Sequence, residues 1–315
     1  MLAGEWIEVE VVLAALYLPG GPRRGVVARS AWPAVCRVLR QEAVPFGRAA
    51  EVLRRNGLWG EAVVLGEPGL VAWAEEACAR GRVLTAASPF YPSCWLSRLG
   101  ASAPPALWRR GALPSVPFVG VVGSRILSPP ARRFAADVGR EAVRLGLAVV
   151  SGGAAGADRA AVRAAYAEAR LAGRDAVLEI LPCGLGVAEP RLGSALSLSP
   201  WEEPFLASRA MERNLLIYAL ADATVIVDAR LRQGGTWHGA VSAMRRLKPR
   251  LLVRHDPSSA AYRALVALGA EPLLHPQALA AALASPMRYG AHAGLFGGGL
   301  HESLQGVGSS QFLDA

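Results

Sequence analysis

Residues 119–125 read VGVVGSR, a short apolar run that ends on Gly123, Ser124 and Arg125. The pattern returns as VVSGGAAGAD at 149–158, ILPCGLG at 180–186 and VDARLRQGGTW at 227–237. Each run reads as a strand and each is followed at once by a loop of small residues. In an open parallel α/β sheet ligands sit outside the carboxyl ends of the strands, so these four loops are expected to meet along one edge and build a single site.

Working outward, strands are predicted at 118–122, 148–151, 177–181, 224–227, 251–254 and 272–274. Helical stretches separate or follow them at 130–145, 158–171, 208–221, 236–246, 258–268 and 276–283. Such alternation specifies an α/β fold with a doubly wound parallel sheet covered by helices on both faces. Before it come short helices at 7–18, 30–42, 45–56 and 68–79; in the third of these Ala49, Val52 and Leu53 keep helical spacing and Asn56-Gly57 is a stop signal. A turn-rich connector with Pro89, Pro92, Pro104, Pro105, Pro114 and Pro117 leads into the sheet. The expected organisation is a small helical domain over 1–85, the α/β domain over 86–284 and a flexible, Gly- and Ser-rich tail over 285–315, in which Leu295-Phe296 is a candidate partner-binding element.

The chain has 315 residues and a formal net charge of +9, and Lys248 is the one lysine among 34 basic residues. That bias attracts polyanions such as nucleic acid, although an arginine excess also arises from genome composition alone. Arg23, Arg24, Arg54 and Arg55 form basic patches that read either as solvated surface or as nucleic-acid contacts. Cys36, Cys78, Cys94 and Cys183 form no C-x-x-C pair, so neither zinc nor a disulfide framework is expected and a reducing cytoplasm fits. The opening stretch MLAGEWIEVEVVLAALYLPGG carries Glu5, Glu8 and Glu10 and no basic residue, which predicts a helix of a folded domain and not a signal peptide or membrane span.

Glycine lets backbone approach a ligand closely, and amides in a turn or at a helix start carry partial positive charge, so loops of this kind suit phosphate. Gly123 reads as a tight turn, while Ser124 and Arg125 at the same tip are candidate anion ligands. Ser151, Gly152 and Gly153, with Gly156, precede a helix that Asp158 is placed to cap; phosphate approach and tight helix-on-strand packing are both open for these glycines. Arg213 and Asn214 begin an apolar helix, either pointing at the ligand edge or bracing the neighbouring loop. Arg232, Gly234, Gly235 and Thr236 lead into the next helix, with Thr236 a possible cap and Trp237 either half-buried core or a stacking face. GVVGSR is not the dinucleotide fingerprint, no acidic residue follows the second strand, and His238 has no partner at triad spacing, so nicotinamide and triad chemistry are disfavoured.

In this order and spacing VGVVGSR, VVSGGAAGADRAA, LPCGL, MERNLLIYALADATVIV and GGTWHGA resemble the DNA-processing protein A (Smf) family, as does SPFYPSCWLSRLGASAPPALWRRGAL before them. The resemblance covers about residues 84–274, and the GGTW loop is similar to a distinct subgroup. It implies an extended Rossmann-like domain, preceded by a helical domain, that binds single-stranded DNA without sequence preference and passes it to the RecA recombinase. It further implies a non-enzymatic protein without a cofactor, acting in DNA uptake or recombination as a homodimer and not at a membrane. Carried over by position, Ser124 and Arg125, Ser151 to Gly153, Arg213 with Asn214, and Arg232 with Gly234 to Thr236 would line the phosphate pocket. Two positions depart from the pattern: only Arg209 stands where a basic residue precedes the Arg-Asn pair, and Gln233 stands where the subgroup has Lys. No winged-helix pattern follows Leu283. The alternative is a nucleotide-sensing or nucleotide-hydrolysing Rossmann protein related to phosphoribohydrolases. RQGGTWHGAVSA lacks the second Gly-Thr and the Glu that hydrolysis of that type needs, which leaves sensing as the stronger form of this alternative.

Overall fold

The structure is a computed structural model that describes residues 3–42, 48–188 and 192–286. The expected flexible tail, with Leu295-Phe296, lies almost wholly outside the described residues. Five helices come first: α1 (Ala3–Tyr17), α2 (Trp32–Glu42), α3 (Ala49–Arg55), α4 (Trp59–Leu65) and α5 (Leu70–Ala79). From Val11 to Leu18 every side chain is buried, with α2, α4 and α5 packed around α1. An all-round apolar helix is what a helix in the middle of a bundle requires, and this accounts for the apolar N-terminal stretch. Helix α4 was not expected, because Gly57, Gly60 and Gly66 break up its sequence.

The sheet has nine strands in the order β1-β2-β6-β5-β4-β3-β7-β8-β9. They are β1 (Val83–Thr85), β2 (Ala106–Arg110), β3 (Phe118–Val122), β4 (Ala148–Ser151), β5 (Val177–Leu181), β6 (Ser194–Ser197), β7 (Ala223–Ile226), β8 (Arg250–Arg254) and β9 (Glu271–Leu273). Strand β2 pairs antiparallel with both β1 and β6, and the other pairings are parallel. The fold is thus the expected doubly wound, Rossmann-like α/β sheet behind a helical region, corrected from wholly parallel to mixed.

The six expected strands are present to within a residue, and β1, β2 and β6 are additional. Strand β1 closes the span expected to be helical, and β2 sits amid the proline-rich connector, where α6 (Ser93–Leu99) also forms. Strand β6 reads SALS, and its buried Ser197 Oγ donates to Cys183 O at 2.7 Å, so the strand buries hydroxyls where an apolar pattern would have announced it.

Helices α7 (Pro129–Arg144), α8 (Ala157–Leu171), α9 (Ala207–Leu220), α10 (Gly234–Arg246), α11 (Ala260–Ala267) and α12 (Leu279–Ala284) complete the domain. From β3 the strand order runs one way through β4 and β5 and the other way through β7 and β8. Right-handed crossovers in opposite directions put α7 and α8 on one face and α10 and α11 on the other. Helices α7 and α8 pack closely through small residues: a Cβ on Gly139 would stand 2.3 Å from Ala161 O. Trp108 of β2 donates from Nε1 to Pro19 O at 2.9 Å and meets Trp73 edge-on at 5.8 Å, which fastens the helical region to the sheet edge.

Candidate functional site

Strands β3 and β7 are neighbours, with Val119 opposite Ala223 and Val122 opposite Ile226, and the chain leaves them toward opposite flanks. At such a switch point the two outgoing loops diverge and a crevice is left between them. A cleft of about 390 Å³ opens there. Gly123, Ser124 and Arg125 form one wall, and Arg230, Gln233, Gly234, Gly235 and Thr236 form the other. Met211, Arg213 and Asn214 of α9 close one side, with Ala154 and Asp158 beneath.

Backbone contacts hold three loops in one arrangement. Ser124 N donates to Asp228 O at 3.0 Å, Ala157 N donates to Ser124 O at 3.2 Å, and Ser124 Oγ accepts from Ile126 N at 3.3 Å. Two glycines permit this approach. A Cβ on Gly123 would lie 2.7 Å from Ala157 Cβ, and one on Gly156, whose φ is +80°, would lie 2.2 Å from Ser124 O.

The serine and glycines after β4 sit under the cleft, not on its wall. Ser151 is buried and donates from Oγ to Val121 O at 2.6 Å. Asp158 does not cap α8, whose N-cap is Gly156; it lies inside the first turn and reaches back. Its Oδ2 accepts from Gly152 N at 3.1 Å and from Ala154 N at 3.3 Å, so those two amides are engaged by a carboxylate. Gly153 adopts φ +71° and is not part of the cleft lining.

Arg213 explains Gly152. Its guanidinium lies against that residue, where a Cβ would come within 1.4 Å of Nη1, and Arg213 is only 6% exposed. Burial pulls the Arg213 pKa down, and the Asp158 carboxylate opposes that most strongly. Burial likewise raises Asp158, with Arg213 and the two loop amides opposing. Each charge thus offsets part of the other's burial cost, and Arg213 braces the β4 loop through its contact with Gly152. Its Nε is buried without a hydrogen-bond partner among the described residues. Asn214, half-buried, remains on the cleft wall.

Two features stay open to solvent. The N-cap of α10 is Gln233, with no side-chain cap, and Gly234 follows at φ +73°, so the first amides of a 13-residue helix face the cleft without side-chain partners. Those amides and the aligned dipole are suited to an anion. Thr236 is the third residue of α10 and not its cap. Opposite stands Arg125, exposed, with its guanidinium carbon 5.7 Å from the centroid of the Phe205 ring, which is itself 51% exposed. Arg230 lines the cleft, whereas Arg232 is exposed at the tip of the Arg230–Gln233 turn, at φ +58°, and does not. Trp237 is core at 8% exposure.

The loop after β5 packs away from the others. Gly184 N donates to Glu203 O and Gly186 N to Trp201 O, both at 2.8 Å, so three of the four expected loops share the cleft. In its place comes the start of α9. Phe205, Met211 and Ile126, exposed apolar side chains near the mouth, were missed because nothing local distinguishes an exposed Phe from a core one. Among the described residues no group of His, Cys, Asp and Glu could hold a metal ion, and no helix is long and apolar enough to cross a membrane.

Residues 82–284 match the profile of a family described as DNA recombination-mediator protein A, a span running from just before β1 to the end of α12. No curated protein matches the chain. Among solved structures it is similar to DNA processing protein A from Streptococcus pneumoniae, at 20% identity over 87% of this chain and 97% of that one, with a TM-score of 0.60. It is also similar to DNA processing protein A from Helicobacter pylori, studied for its single-stranded DNA binding mode, at 24% identity over 57% of this chain and 87% of that one, with a TM-score of 0.50. At these identities the likeness is one of fold.

Proposed function

The chain belongs to the DNA recombination-mediator protein A family, whose role is DNA processing, and from that premise we propose that the cleft between β3 and β7 grips single-stranded DNA by its phosphates, without regard to sequence. The observation that carries this reading is the pairing of an uncapped helix N-terminus with an exposed Arg-on-Phe stack across one cleft. Amides at a helix start hold a phosphate whatever base it bears, and an aromatic face accepts any base. A duplex keeps its bases stacked inside and offers Phe205 none, so the arrangement favours the single strand. The Rossmann-like domain over 86–284 supplies this grip; Gly123, Ser124, Arg125, Arg230, Arg213, Asn214, Gly234, Gly235 and Thr236 line it, and the β4 loop with Ser151, Gly152 and Gly153 supports it from beneath. Family membership supports the further reading that a homodimer presents the bound strand to RecA in the cytoplasm.

Fluorescence anisotropy of labelled oligo-dT across a salt series tests this. Tight binding should fall with salt at a slope of about 0.7 per phosphate engaged. Arg125→Ala should weaken binding about threefold to fivefold and flatten the slope by about 0.7, with an unchanged melting temperature, since the side chain is exposed. Phe205→Ala should cost about 1 kcal/mol on oligo-dT and nothing on an abasic oligomer of equal length, which separates stacking from charge. Binding of a mononucleotide with no binding of the strand would overturn the proposal in favour of nucleotide sensing.

A further inference from the structure

We propose that a second cleft, lined by Arg29, Ser30, Ser102, Ser242 and Arg246, holds the next nucleotide of the same single strand. The inference rests on the functional reading above and extends it to the helical region, which contributes Arg29 and Ser30. This cleft has a volume of about 350 Å³ and shares Met211 and Asn214 with the first, so the two are contiguous around the start of α9.

Helix α10 keeps the passage open. Gly235 lines the first cleft and Gly239, one turn on, lines the second. Between them lies the Asn214 carboxamide, whose Nδ2 would be 3.9 Å from a Cβ on Gly235 and 3.2 Å from one on Gly239. Larger residues at these positions would press on Asn214 and narrow the gap between α9 and α10.

The chemistry of the second cleft is that of a phosphodiester site, with two guanidinium groups and three hydroxyls. Its one carboxylate, Glu212, is already neutralised: it pairs with Arg29 and accepts from Arg209 Nη1 at 3.1 Å. Arg246, in the last turn of α10, is exposed and has no ionic partner among the described residues. A strand leaving the first cleft past Asn214 therefore meets an uncommitted cation directly. A free mononucleotide would fill one cleft only, whereas the continuity of the two fits a chain.

The test is the length dependence of binding, with a series from thymidine monophosphate through the dinucleotide to longer oligo-dT and three proteins: wild type, Arg246→Ala and Arg125→Ala. Wild-type affinity should rise again after the first cleft is filled. Arg246→Ala should leave thymidine monophosphate binding unchanged and bind the dinucleotide and longer oligomers about threefold to fivefold more weakly, with a salt slope lower by about 0.7. Arg125→Ala should weaken every length. Loss of affinity by Arg246→Ala at all lengths equally, or at none, overturns the second subsite while leaving the first intact. Failure of the wild type to bind any oligomer overturns the functional reading and this inference with it.

Discussion

Replacing Arg213 with leucine should destabilise the fold by about 3–5 kcal/mol, a large part of the 5–15 kcal/mol that holds a typical protein together. The guanidinium is the principal counter-charge for the buried Asp158 carboxylate and fills the space over Gly152. Without it the carboxylate is left uncompensated in a buried site. The sign of the pH dependence follows. Burial already raises the Asp158 pKa, and losing the opposing charge of Arg213 raises it further above that of the unfolded chain, so the folded variant holds a proton that the unfolded one releases. The deficit should therefore be smallest near about pH 4 and grow toward neutrality. Urea unfolding of the variant across that range checks this, and Arg213→Leu combined with Asp158→Leu should recover much of the loss. A variant with an unchanged unfolding midpoint but abolished DNA binding would show instead that Arg213 is a direct phosphate ligand.

The second large effect is expected at Gly156. Alanine there must adopt φ +80° and place its Cβ 2.2 Å from Ser124 O and 2.6 Å from Arg125 O, which are backbone atoms with little freedom to yield. Strain at such a dihedral and forced overpacking each cost about 1–3 kcal/mol, so Gly156→Ala should destabilise by about 3 kcal/mol or more. Gly146 serves as the control, because its φ is +83° with nothing within 4 Å, so alanine there meets the dihedral cost alone. The carbonyls displaced at Gly156 belong to the Ser124–Arg125 wall of the cleft, so binding should fall along with the melting temperature. Equal melting temperatures for the two variants would mean that the β3 and β4 loops are not in contact as described.

The contrast between Arg125 and Arg213 shows what was legible in the sequence and what was not. Both are arginines beside small-residue loops; Arg125 reads as an anion ligand, while Arg213 reads equally as a ligand and as a brace for the neighbouring loop. Whether an arginine meets solvent or a buried carboxylate depends on Asp158, 55 residues away in sequence, reaching back to Gly152 instead of capping its own helix. Likewise the sequence leaves phosphate approach and tight packing both open for the glycines of the β4 loop, and the structure decides for packing at Gly152, which yields space to a guanidinium, and at Gly156, which yields it to a carbonyl.

By itself, the sequence determined the alternation of β3, α7, β4, α8 and β5 and of β7, α10, β8 and α11, because apolar runs, helical spacing and glycine stops are local signals set within a few residues of the chain. The same signals put Gly123–Arg125 at the end of β3 and Gly234–Thr236 at the start of the helix after β7, on the edge where a doubly wound sheet holds its ligand. Only the tertiary structure decided the rest: the reversed β2, the strand β6 with its buried serines, the retreat of the β5 loop, the approach of Phe205 and Arg230 to the cleft, and that of the helical region's Arg29 to the neighbouring one. Each depends on partners far apart in the chain, and burial, charge compensation and close packing are properties of the folded neighbourhood and not of the residue.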